Sequence, residues 1–354
     1  MIRIAIQMIV VGLFSGLAAL ALAGDPAPIQ PVTLADAAEP APNKPDEPLA
    51  GEYSLERARH FLDSASLAWQ KKRDCMTCHT NYLYLMSRPA LGADDEAHRT
   101  VRQYAEDLVT KRWKDKGPRW DTEVVMAGLV LAYNDALTTG KLHPVSREAL
   151  DKMWAVQRDD DGGITWIACG WPPMESDDEF GATMMALAVC CAPDDYAETP
   201  AAQSGIERLK KYFAATPMPT LHHRAMLLWA DTFRPMWLSE DERKKCLDEL
   251  LALQHADGSY SIASLGDWPR ADGSPQDVTT GDGYATGLAI YLARRSGIPA
   301  DDARLARGIA WLKANQRASG RWFTRSLNKD SQHFLTHAGS SLAVMALGAC
   351  NALQ

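Results

Sequence analysis

Residues 75 to 79 read Cys75-Met76-Thr77-Cys78-His79, a C-x-x-C-H string. Two thiols at this spacing can form thioethers to the vinyl groups of one haem. The adjoining His79 can then ligate its iron from one face. Opposite it, the sequence offers Met86, which would give a Met/His pair, and His337 or His333 near the other end of the chain. His222 and His223 are further histidines. Three other readings compete for the two thiols: a disulfide or redox pair, a zinc site, and a chance match. A redox pair normally opens a helix in a βαβ setting that is absent here, and a zinc site wants four ligands where no second C-x-x-C exists. The covalent haem c reading is the expectation carried forward. A second group with chemistry in it is the acidic run Glu175-Ser176-Asp177-Asp178-Glu179. Carboxylates at a helix start cap it and solvate the loop before it, and this run holds more of them than capping needs.

The elements that must position these residues are helices. Three segments share one pattern. Leu150 to Trp166 carries Met153-Trp154, Gln157, Gly162 and Trp166; Leu247 to Tyr260 carries Leu250-Leu251, Gln254, Gly258 and Tyr260; Ile309 to Trp322 carries Trp311-Leu312, Gln316, Gly320 and Trp322. Each predicts an amphipathic helix, a glycine turn and an aromatic anchor. Each is followed by a helix rich in small and apolar residues, such as Gly181 to Leu187, Ala285 to Ile290 and Gly339 to Val344. Such helices are buried on most faces, whereas the helices before them carry a charged face. Three further pairs fit the alternation: Leu55 to Gln70 with Asn81 to Met86, Ala97 to Trp113 with Asp121 to Asn134, and Ile206 to Ala215 with Leu221 to Thr232. Self-similarity of this kind marks stacked supersecondary units. Neither end is polar enough to cap an open solenoid, so closure into an all-α, α/α toroid of about six helical hairpins is expected.

The Gln-x-x-x-Gly-x-Trp of Gln316 to Trp322, with its looser copies at Gln157 and Gln254, resembles the Q-W repeats of the squalene–hopene cyclase and prenyltransferase (terpenoid cyclase) family. The resemblance covers roughly residues 145 to 350. It implies the toroid fold. It also implies an alternative activity, isoprenoid cyclisation, in which Glu175, Asp177 and Asp178 stand where the family has D-x-D-D. Glu replaces the first Asp, and Glu179-Phe180-Gly181 delays the following helix. Cyclases of the family are about twice this length, so this chain has room for one ring.

The remaining features bound the setting. Arg3 precedes the apolar stretch Ile4 to Leu22, and Ala21-Leu22-Ala23 fits a small-x-small cleavage site, so residues 1–23 read as a secretory signal. The expected location is therefore exported, periplasmic or otherwise extracytoplasmic, with no membrane span once the signal is removed. Residues 24–52 are rich in proline and alanine, and that composition predicts a disordered tether before a toroid domain over 53–354. The 354-residue chain has a net charge of −8 and no basic stripe, which argues against nucleic acid. Of seven cysteines, Cys169, Cys190, Cys191, Cys246 and Cys350 remain outside the motif, and they read best as small buried hydrophobes. The function expected is an exported c-type haem protein acting in electron transfer or in oxidation of a small or apolar molecule at the ring mouth, with a redox partner protein or such a molecule as partner. A non-enzymatic scaffold holding lipid or peptide is the third reading.

Overall fold

In the computed structural model the described residues fold into twelve principal helices that alternate between an outer and an inner layer. The structure describes residues 29–92 and 95–354. The signal expected over residues 1–23 lies outside them. The outer helices are α1 (Leu55–Arg73), α3 (Glu96–Asp107), α5 (Pro144–Ala155), α7 (Pro200–Ala215), α9 (Glu240–Ala252) and α11 (Ala303–Ala314). The inner helices are α2 (Leu83–Leu91), α4 (Asp121–Thr138), α6 (Asp178–Cys191), α8 (Leu221–Asp231), α10 (Gly283–Arg295) and α12 (Leu335–Ala349). Among the described residues there are no strands, only two isolated β-bridges.

The two layers follow from composition. In α4 every side chain from Thr122 to Asp135 is buried, and in α12 the same holds from Leu335 to Leu347. In α9 only Cys246, Leu250 and Leu251 are buried, and the charged face meets water. Each fully buried Leu or Val of the inner layer stabilises the fold by roughly 1.5–3 kcal/mol. The outer helices start on good caps. Ser54 caps α1 by accepting from the Arg57 amide at 3.2 Å, and Ser239 with Glu242 forms a reciprocal capping box on α9.

The inner helices close a ring. Around the circle α2 packs on α4, α4 on α6, α6 on α8, α8 on α10, α10 on α12, and α12 returns to α2. They all run in one direction. At one end of the ring the helix starts meet: the Tyr82 hydroxyl donates to the Glu123 carbonyl (3.4 Å), and His222 meets the Tyr284 hydroxyl (2.9 Å). At the other end Tyr133, Trp229 and Tyr291, each late in its helix, pack edge to face, and the Tyr133 and Tyr291 hydroxyls hydrogen-bond across the ring. The ring is thus plugged at its helix C-termini and opens at the N-terminal mouth.

The repeated glutamines join neighbouring units. Gln157 donates to the carbonyls of Gly162 (2.7 Å) and Gly205 (3.1 Å). Gln254 donates to those of Gly258 (3.0 Å) and Arg304 (2.8 Å). Gln316 closes the circle: it donates to the Gly320 carbonyl (3.0 Å) and exchanges two bonds with the Ser54 backbone (2.7 and 2.9 Å). The turn after it needs glycine. Gly320 has φ +95°, and a Cβ there would lie 2.2 Å from the Arg57 carbonyl oxygen. Trp322 is fully buried and donates its indole N–H to the Leu312 carbonyl at 2.6 Å.

Residues 29–52 differ from the expected tether. From residue 29 on they form a strap bonded along the ring. Arg321, buried to 3% exposure, donates to the Ala41 carbonyl (2.7 Å), the Pro42 carbonyl (3.1 Å) and the Asn43 side chain (2.7 Å), and pairs with Glu47. The Ala50 amide donates to the Gln316 carbonyl and the Ala318 amide to that of Pro48, both at 2.8 Å. The folded unit therefore starts well before residue 53. No described helix is long and apolar enough to cross a membrane.

Candidate functional site

The C-x-x-C-H string lies at the ring mouth. Asp74 takes the left-handed conformation (φ 45°) and ends α1, and Cys75 to Thr77 run on outside any helix. Cys78–Tyr82 then form one wide π-helical turn, in which the Tyr82 amide donates to the Thr77 carbonyl at 3.2 Å before α2 begins. Turns of this type recur at functional sites. Here the turn carries Cys78 and His79 into the mouth together.

His79 is held on three sides. Its ring stacks on Phe334 with centroids 5.0 Å apart and meets Trp69 edge-on, also at 5.0 Å. Its Nδ1 is 2.8 Å from the Thr80 hydroxyl and 3.5 Å from that of Thr77. Its Nε2 has no hydrogen-bond partner among the described residues. Burial, reinforced by His337, pushes the His79 pKa down to about 3. The ring is therefore the neutral imidazole that metals bind.

Cys75, Cys78 and His79 line one cleft of about 240 Å³, together with Trp69, Trp120, Cys169, Trp171, Glu175 and Phe334. Its walls are mostly aromatic and aliphatic. All the cysteines are free; Cys75 is half-buried and Cys78 buried. Burial pushes the Cys78 thiol well up, and the nearby Glu175 adds to this, so it stays protonated. Among the described residues no group of three or more His, Cys, Asp or Glu side chains is placed to hold a metal ion.

These residues fit a covalently held haem. Both thiols and a neutral imidazole face one apolar cleft. Trp69, in its wall, has a buried indole N–H with no acceptor among the described residues, a donor suited to a carboxylate. The cleft, at about 240 Å³, is smaller than the ~300–1,000 Å³ of ordinary ligand pockets, and a haem held there would be attached by Cys75 and Cys78 with His79 beside it.

The distal candidates fare differently. Met86 is buried within α2 and does not line the cleft. His337 lies close to His79, with centroids 6.4 Å apart, but does not line the cleft. Its Nδ1 bonds Thr80 at 2.9 Å, and Thr80 bonds His79 through Nδ1. His333 uses its Nδ1 to accept from the Ser326 amide (3.2 Å). His222 and His223 belong to a separate cluster: His223 bonds Asp177 (2.9 Å) and Thr220 (2.7 Å). Arg88, a conceivable partner for a propionate, is buried and paired with Asp63 and Asp95.

The acidic run does not act as one constellation. Asp177 caps α6 through the Phe180 amide (2.8 Å) and bonds His223. Burial alone would raise its pKa, but the bonds from His223 and Ser176 outweigh it and bring it down to about 2. Asp178 pairs with Arg158 (2.5 Å) and accepts from the Trp166 amide (2.8 Å). Only Glu175 faces the cleft, where burial raises its pKa to about 7. A cyclase acid poised by neighbouring carboxylates is not what these three residues build. Of the other cysteines, Cys190, Cys191, Cys246 and Cys350 are buried as expected, whereas Cys169 is exposed at the cleft. Trp69 and Cys169 carried no sequence signal for the site and are brought to it by the fold, while Thr80 follows the motif directly but nothing in the sequence marked its bonds to both His79 and His337.

A second cavity, about 470 Å³, opens on the mouth between Asp277, Asp282, Phe323, Arg325, Asp330 and His333, under Pro45 of the strap. A narrow gap that shares His79, Trp171 and Glu175 with the cleft, and Ser326 with this cavity, lies between them.

No family model matches the chain, and no curated protein matches it. Among solved structures, a glycosidase is similar with a TM-score of 0.54 and 10% identity, over 85% of this chain and 97% of that one. A possible member of the GH105 family from Salmonella enterica has a TM-score of 0.47 at 14% identity, over 76% of this chain and 81% of that one. A protein from Actinoplanes has a TM-score of 0.48 at 14% identity, over 77% and 89%. At 10% identity the likeness to the glycosidase shows the fold, an α/α toroid, and leaves the site to its own residues.

Proposed function

We propose that the chain is a c-type haem protein built on a single α/α toroid, with haem attached through Cys75 and Cys78 and His79 as axial ligand. The observation that carries this reading is that Cys75, Cys78 and His79, whose Nδ1 is engaged by Thr80, all line one apolar cleft. Haem bound there supplies one-electron redox chemistry. The chain's own residues position it: the wide turn at 78–82 presents the ligands, while Phe334 and Trp69 fix the ring of His79. The 470 Å³ cavity offers a place beside the haem for a small molecule to be oxidised, and a redox protein can meet the cleft edge where Trp120 is exposed. Thioether attachment takes place outside the cytoplasm, so export belongs to the same proposal. The test is a comparison of wild type with Cys75→Ser/Cys78→Ser after co-expression with a haem-attachment system. The expected result is a haem spectrum that survives denaturation in the wild type alone. Identical spectra from the two would overturn the reading.

A further inference from the structure

Thr80 lies between two imidazoles. Its Oγ1 is 2.8 Å from Nδ1 of His79 and 2.9 Å from Nδ1 of His337, and all three residues are buried. A threonine hydroxyl has one proton, so with two neutral rings it donates to one and accepts from the other. Two proton orders satisfy both bonds. In the first, His79 donates Nδ1–H to Thr80, and Thr80 donates its hydroxyl proton to Nδ1 of His337. The lone pair of His79 is then on Nε2, the ring nitrogen that Thr80 does not meet. In the second, His337 donates to Thr80 and Thr80 to His79. The proton of His79 is then on Nε2, and the ring cannot ligate a metal. The competing hydroxyl, Thr77, is at 3.5 Å, too far to decide the order.

We infer that His337 is not a haem ligand but a positioning residue, which by accepting the Thr80 proton holds His79 in the Nδ1–H form with Nε2 presented to iron. This rests on the haem reading. His337 is itself fixed for the task. It packs edge-on to Phe61 (5.6 Å) and beside Phe334 (6.3 Å), the residue that stacks on His79. A metal-bound imidazole whose second nitrogen donates to an oxygen is a stronger donor to the metal. The pair Thr80–His337 therefore favours the oxidised iron and lowers its potential.

The test uses the full chain matured with haem and four variants: Thr80→Val, Thr80→Ser, His337→Phe and His337→Gln. Midpoint potential and iron–histidine stretching frequency are read on each, with covalent haem content and melting temperature as controls. Thr80→Val is expected to raise the potential and lower the stretching frequency, with His337→Phe moving both in the same direction by less. Thr80→Ser and His337→Gln, which keep a hydroxyl and an acceptor, are expected to stay near wild type. Unchanged values in both Thr80→Val and His337→Phe overturn the inference. Nitrogen chemical shifts of His79 in the haem-free wild type give its tautomer directly: Nδ1–H supports the inference and Nε2–H refutes it. A wild type that takes up no haem refutes the haem reading and with it the ligand role, while the tautomer still decides the proton order.

Discussion

Replacing Gln316 by alanine should weaken the ring at its closure. The side chain is fully buried and makes three bonds, two to the Ser54 backbone and one to the Gly320 carbonyl. At about 1 kcal/mol net for each, their loss costs ~3 kcal/mol. The Ser54 amide, which has Gln316 as its partner, is left without one, while the Ser54 carbonyl keeps the Ala58 amide at 3.2 Å. The total expected is ~3–4 kcal/mol. The same substitution in the other repeats should cost less. Gln157 makes two bonds and already has an unpartnered Oε1, so ~2 kcal/mol is expected. Gln254 makes three bonds, two donated and one accepted from Arg307, but it is half-buried and water can replace part of what it loses, so ~1–2 kcal/mol is expected. Urea unfolding with matched slopes measures the differences, and at roughly 2–4 °C per kcal/mol the melting temperatures should fall in the same order. A Gln316→Ala cost below ~1 kcal/mol, or a larger cost at Gln254, would refute the view that these glutamines join the units.

Three further outcomes follow from the same contacts. Gly320→Ala, which forces a side chain into the left-handed region against the Arg57 carbonyl, should destabilise by at least ~1 kcal/mol in the same unfolding assay. Glu47→Gln should loosen the strap, making bonds near residues 29–50 cut faster in limited proteolysis. For Glu47 burial is the largest influence and acts upward, but the bonds from Ser319 and the charge of Arg321 prevail, so its folded pKa is below 4.5. Its contribution is present above the unfolded value and is lost as pH falls from about 4.5 through the folded pKa, so the strap should release in acid in the wild type but show little such dependence in Glu47→Gln. Asp177→Ala removes the α6 cap and the partner of His223 and should cost ~1–2 kcal/mol near neutral pH. With a folded pKa of about 2, the wild-type advantage should fade between pH ~4 and ~2.

The fold was legible in the sequence because its two signals are local. Small, apolar stretches such as Gly181 to Leu187 can only be buried, and the Gln–Gly–aromatic turns at 157, 254 and 316 recur at equivalent joints. The strap was not legible. It adheres through backbone carbonyls offered to Arg321 and Arg317, and proline-rich composition reads the same whether or not such arginines wait for it. At the site, the three residues of the motif were evident, and their surroundings were not. The side of His79 that His337 faces depends on how the first and last hairpins meet, which spacing along the chain does not encode. The acidic run misled for a simpler reason: adjacent carboxylates at a helix start point in different directions, toward the cleft for Glu175, the cap for Asp177 and Arg158 for Asp178.

The central claim is that Cys75 and Cys78 carry a haem. The most direct measurement is the intact mass of the full chain after co-expression with a haem-attachment system, alongside a control cytochrome c in the same cells. The account predicts a mass increase of one haem per chain, retained on denaturation and mapped to the peptide containing Cys75 and Cys78. A chain that keeps its unmodified mass while the control cytochrome is fully loaded would contradict it.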